Sequence, residues 1–135
     1  MFYSHFKKRV PGFDTSAPSR RVEIDQDLLR TLVIAALRQK TTVDEKYYLA
    51  RYPDIAKAIA GGSIATASDH WYETGYFEGR QPRRILVDEE FYLQANPDVA
   101  KAVRAGKVES CQAHFDIAGC IEGRMPFAGF AFFES

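Results

Sequence analysis

Two kinds of hydrophobic and polar patterning follow one another along the chain. Between Asp25 and Arg38, the residues Leu28, Leu29, Leu32, Val33, Ala36 and Leu37 fall near helical spacing. Asp25 and Asp27 stand where the positive end of a helix would be, so the pattern predicts an amphipathic helix starting at one of them, with the apolar run Leu32 to Leu37 as a core face. From Val43 onward, shorter apolar clusters alternate with Pro and Gly. Asp44 precedes Tyr47, Tyr48 and Leu49; Pro53 opens a cluster of Ile55, Ala56 and Ile59 that stops at Gly62; Thr66 precedes Trp71, and Gly75 follows. Asp and Thr cap helix starts, Pro fits a first helical position, and Gly accepts the left-handed conformation just past a helix end. Three short helices are predicted, with Gly62 and Gly75 as left-handed terminators and Trp71 inside.

The same punctuation then recurs. Val43–Pro82 reappears without a gap as Val87–Pro126, each position displaced by 44, with identity at Tyr48/Tyr92, Leu49/Leu93, Pro53/Pro97, His70/His114, Gly75/Gly119 and the Glu-Gly-Arg of 78–80 and 122–124. In the second copy Asn96 is placed to cap the helix opened by Pro97, and Ser110 stands for Thr66. Units of this length usually stack on their neighbours. The expected fold is all-α: an N-terminal amphipathic helix followed by two tandem three-helix repeats in one compact domain. The expected segments are a flexible, irregular basic arm at 1–24, the helix at 25–42, repeats at 43–82 and 87–126, and a Phe-rich tail at 127–135, with 25–135 as one domain.

Residues shared by both copies are first explained as scaffold. His70 and His114 recur, which suits a buried hydrogen-bonding element of the repeat better than a catalytic base. Asp44 and Asp88 suit caps, Asp54 and Asp98 suit helix starts with Lys57 and Lys101 three positions on, and Glu78–Arg80 and Glu122–Arg124 suit turn ion pairs. Cys111, His114 and Cys120 make a fragment of a zinc site without a fourth ligand, and Ala67 and Tyr76 replace the cysteines in the first copy, so free thiols are expected. No phosphate loop, dinucleotide fingerprint or nucleophile elbow is present. No catalytic residue, metal or cofactor is expected.

Candidates for recognition therefore lie where the copies differ or where nothing is copied. Tyr72 and Tyr76, if exposed, could stack on a sugar or enter a protein interface, and Asp116 stands opposite Tyr72. Phe130, Phe132 and Phe133, with Phe127, either cover the end of the stack or dock on a partner. Lys7, Lys8 and Arg9 form a basic cluster: residues 1–42 hold eight Lys or Arg against four Asp or Glu, although the whole chain is neutral. That cluster is short, so nucleic acid is a disfavoured partner beside a protein partner or self-association, with a glycan as the alternative.

Tyr-Tyr-Leu, Pro-Asp-Ile-Ala, His-Trp and Glu-Gly-Arg-x-Pro, as they stand in residues 43–82, together resemble a short helical repeat of bacterial proteins. That family is appended to glycosyltransferases, other polysaccharide-related proteins and large calcium-binding surface proteins. The chain departs from its pattern at Tyr52, where the family favours Asn, and at Asp116, where an apolar residue is usual. What the resemblance implies is association without catalysis, as a small adaptor or regulatory subunit in polysaccharide synthesis or cell-envelope work.

Composition adds limits. With 46% hydrophobic and 27% charged residues in 135, the chain has the makeup of an ordinary globular domain. The apolar run Leu32 to Leu37 is far short of the roughly 20 residues a membrane helix needs. Residues 1–10 lack the apolar segment of a secretory signal, which points to the cytoplasm or the periphery of the inner membrane.

Overall fold

A computed structural model describes residues 3–16 and 21–130. Among these, every regular element is helical and no strand occurs. The chain divides between Gln39 and Lys40 into two compact units.

In the first unit, α1 spans Tyr3–Arg9, where an irregular arm was expected. Its three basic residues occupy the last turn, where they complement the negative helix end. Val10 continues the turn with a bond from its N–H to the Phe6 carbonyl, at 3.0 Å, and is 2% exposed. Gly12, at φ 80°, reverses the chain so that the Phe13 ring meets that of Phe6 edge-on, 5.1 Å away. The signal for this helix was the apolar spacing of Phe6, Val10 and Phe13, which the surrounding charges obscured. α2 spans Gln26–Lys40 and buries Leu28 and Leu37. Leu29 and Leu32 remain 48% and 42% exposed, so the core stripe is narrower than the apolar run suggested.

In the second unit, the helices are α3 (Glu45–Arg51), α4 (Pro53–Ala60), α5 (Ala67–His70), α6 (Glu89–Ala95), α7 (Pro97–Arg104) and α8 (Cys111–His114). α5 and α8 each pass into one π-helical turn, Trp71–Gly75 and Phe115–Gly119. Asp44 and Asp88 cap α3 and α6 by accepting from the N–H groups of Tyr47 and Phe91, and Thr66 and Ser110 cap α5 and α8 likewise. Pro53 and Pro97 take the first helical position. Gly62 and Gly106 turn left-handed after α4 and α7, at φ 75° and 68°.

The Asn96 side chain does not cap α7. Its amide donates to the Tyr92 carbonyl at 2.9 Å and its oxygen accepts from Arg124, because a buried amide finds more partners there than at a helix start. Asp44 N–H reaches the Pro82 carbonyl and Asp88 N–H that of Pro126, so the end of each segment returns to its beginning. The interior is made from matching positions: Tyr48, Ile55, Ala67 and Trp71 in the first segment, and Tyr92, Val99, Cys111 and Phe115 in the second, all 5% exposed or less. Ile85, Val87, Leu93 and Val103 pack around the second set.

Candidate interaction groove

The recurring polar residues are engaged in holding each segment. The Tyr48 hydroxyl lies 3.0 Å from His70 Nδ1, and the Tyr92 hydroxyl lies 3.0 Å from His114 Nδ1. Both tyrosines are fully buried, and burial pushes both phenols up, Tyr92 to about 12, so they stay protonated. Gly75 and Gly119 were expected as left-handed terminators, but neither has positive φ. A Cβ at Gly75 would overlap the Tyr48 hydroxyl and one at Gly119 the Tyr92 hydroxyl, so glycine is present to admit the phenol. The left-handed turn comes later, at Gly79 and Gly123.

Burial, then the nearby Arg80 charge, holds His70 below its usual 6.5. As pH falls through that value the unfolded chain takes up the proton before the folded one does. The contribution of this link is therefore present above about pH 6.5 and lost below it. Urea unfolding at about pH 7.5 and 5.5 should show lower stability at the acidic value, and His70→Gln should flatten that dependence.

The acids that could have suggested a carboxylate pair are held by arginine. Arg124 donates to both carboxylate oxygens of Asp98 at 2.9 and 2.7 Å, to Glu122 at 2.6 Å and to the Asn96 oxygen at 2.9 Å. Its guanidinium keeps the Asp98 carboxyl near 2. Arg80 binds Glu78 at 2.6 Å and Asp54 at 3.1 Å, and lies over the Tyr52 ring 4.8 Å from its centre. Asp54 and Asp98 are thus bound by these arginines, where pairing with Lys57 and Lys101 was expected. The expected Glu–Arg turn pairs are both formed.

Between the two segments lies a groove of about 290 Å³, with Arg51, Tyr52 and Gln81 on one wall and Asp116, Ile117 and Ile121 on the other. Gln81 is 1% exposed and receives the Tyr47 hydroxyl at 2.9 Å, while its amide donates to Asp116 Oδ1 at 3.2 Å. Arg51 donates to the Asp116 carbonyl, and Gln112 also donates to its carboxylate, at 3.2 Å. Cys120, half-buried, sets its thiol 3.9 Å from the Gly79 carbonyl. At the rim, Ile117 in the π-helical turn and Ile121 in the turn that follows it are 77% and 70% exposed. The wall is polar and paired; the rim is apolar and open.

Of the residues named from sequence as candidates for recognition, Asp116 alone lies in this groove, which Tyr52, Arg80 and Cys120 also line. Tyr72 is half-buried and donates to the Thr41 carbonyl at 2.7 Å; half-buried Tyr76 packs edge-on against Trp71 and Phe77. Phe130 stacks edge-on with Phe127 at 5.4 Å, and Phe132 and Phe133 lie outside the described residues. Lys7, Lys8 and Arg9 are exposed in the first unit. There Arg9 meets Asp25 at 3.4 Å, and a cleft holding Lys8 and Arg9 also holds Glu23, so the basic cluster faces acids of its own chain. Ile117 and Ile121 were not singled out. The available signal was that Ile117 stands where the first copy has Glu73.

Among the described residues, no helix is long and apolar enough to cross a membrane. None of the protein-family models, curated proteins or solved structures compared with this chain matches it.

Proposed function

We propose that this chain is a non-catalytic protein-interaction module, built from two stacked three-helix repeats, that acts as a small adaptor or regulatory subunit. The observation that carries this reading is the exposed pair Ile117 and Ile121 on the rim of a groove whose polar groups are already hydrogen-bonded. Two neighbouring exposed apolar side chains, beside a polar wall that is already hydrogen-bonded, suit the anchor side chains of a protein partner. The histidines and carboxylates that recur serve packing and ion pairing, which leaves association as the simplest use of what remains exposed. Membership in the bacterial short-repeat family, and with it work in polysaccharide synthesis or the cell envelope, is part of the same proposal and rests on the sequence motif.

The glycan alternative named Tyr72 and Tyr76 as stacking platforms. Tyr72 already uses its hydroxyl on Thr41, and both rings are half-covered, so the isoleucine rim is the better docking surface. The test compares partners captured from the source cell by the wild type and by the Ile117→Asp, Ile121→Asp double variant. A specific partner should be held by the first and lost by the second, with unchanged circular dichroism and Tm. Equal capture by both would refute the assignment of this rim.

A further inference from the structure

The helix α2 has apolar residues in two roles. Leu28 and Leu37 are buried, whereas Leu29, Leu32 and Ala36 fall at the spacing of a single helical stripe, with both leucines on the surface and Ala36 half-buried. One exposed leucine is ordinary on a protein; a stripe of this kind is what one helix offers another. Four positions beyond each end, the stripe meets opposite charges. Asp25 precedes it, its carbonyl accepting the Leu29 N–H at 2.9 Å, and Lys40 closes it as the last residue of α2. Both are exposed. Arg9 approaches Asp25 at 3.4 Å through Oδ2 alone, so Oδ1 faces water.

The order along the stripe, acid then leucines then alanine then base, complements itself when reversed. Two copies of α2 laid antiparallel, with a twofold axis between Leu32 and Val33, set Asp25 level with Lys40 of the other copy. They also set Leu29 level with Ala36, large against small, and Leu32 level with the half-buried Val33. A parallel pair would put Asp25 beside Asp25, Lys40 beside Lys40 and Leu29 beside Leu29. The antiparallel pair opposes the two helix dipoles as well.

We propose that the Leu29–Leu32–Ala36 stripe of α2 pairs antiparallel with the same stripe of a second copy of this chain. Each copy offers the same patch, so the contact closes on itself and forms a dimer and nothing larger. It shares no residue with the Ile117–Ile121 rim, so it adds a second surface to the module and stands or falls apart from the first.

Sedimentation velocity on the full chain at low ionic strength, over a range of concentrations, tests it. The wild type should pass from monomer to dimer and no further. Leu32→Glu should stay monomeric with unchanged circular dichroism. Asp25→Lys and Lys40→Glu should each dimerise more weakly than the wild type, because each sets like charges level. Their equimolar mixture should dimerise more strongly than either alone, since opposite charges meet again at both ends. The Ile117→Asp, Ile121→Asp double variant should dimerise as the wild type does. A wild type that stays monomeric, species larger than a dimer, a Leu32→Glu variant that still pairs, or a mixture no stronger than its components would overturn the proposal. Loss of the dimer in the rim variant would overturn it too, by moving self-association to the rim.

Discussion

Gly119→Ala should destabilise the fold by about 1–3 kcal/mol, the range for forcing an extra methyl group into a filled interior. The new Cβ would fall on the Tyr92 hydroxyl, with His114 Nδ1 3.3 Å away and Phe115 Cδ2 at 3.4 Å. Tyr92 is fully buried and cannot swing outward, and its hydroxyl is tied to His114. In an exposed helix the same change would be favourable, because Ala exceeds Gly in helix propensity by about 1 kcal/mol. The sign of the effect therefore distinguishes a helix terminator from a seat for the phenol. Urea unfolding of the variant, read by circular dichroism, gives the answer directly.

Trp71→Ala should cost about 3–5 kcal/mol, the range for removing a large buried aromatic ring. Trp71 is 3% exposed, and its indole N–H donates to the Arg80 carbonyl at 2.7 Å. Its ring also supports Tyr72 and Tyr76, at 5.4 and 5.7 Å between centres. Trp71→Phe should cost far less, on the order of 1–2 kcal/mol, chiefly for the lost hydrogen bond and the smaller ring. The second segment already fills the matching position with Phe115, which is 1% exposed and packs edge-on against Tyr92. Equal losses for the Phe and Ala variants would mean that the two sites do not pack alike.

Local chemistry was legible in the sequence and distant chemistry was not. Asp44, Asp88, Thr66, Ser110, Pro53 and Gly62 act through atoms a few residues away, so their roles follow from type and position. Gly75 and Gly119 look the same on paper, but what demands them is a phenol from another helix. Asn96 precedes Pro97 as a cap would, yet its partners are the end of the previous helix and Arg124. α1 was missed because three consecutive basic residues hide the spacing of Phe6 and Val10.

The groove required knowing which sides of the two segments meet. Asp116 could be marked as a departure from the repeat, but its partners Gln81 and Arg51 could not be named from spacing. Ile117 and Ile121 carry an apolar pattern that normally signals a core, and only the fold shows them outside it.

The central claim is that the recurring Tyr, His and Gly form an internal packing element, which places recognition on the surfaces where the segments differ. The cost of Gly119→Ala, measured by urea unfolding in the wild type and again in a Tyr92→Phe background, tests this most directly. Without the hydroxyl the overlap is relieved, so the account predicts a cost at least about 1 kcal/mol smaller in the Phe background. The same cost in both backgrounds would contradict it.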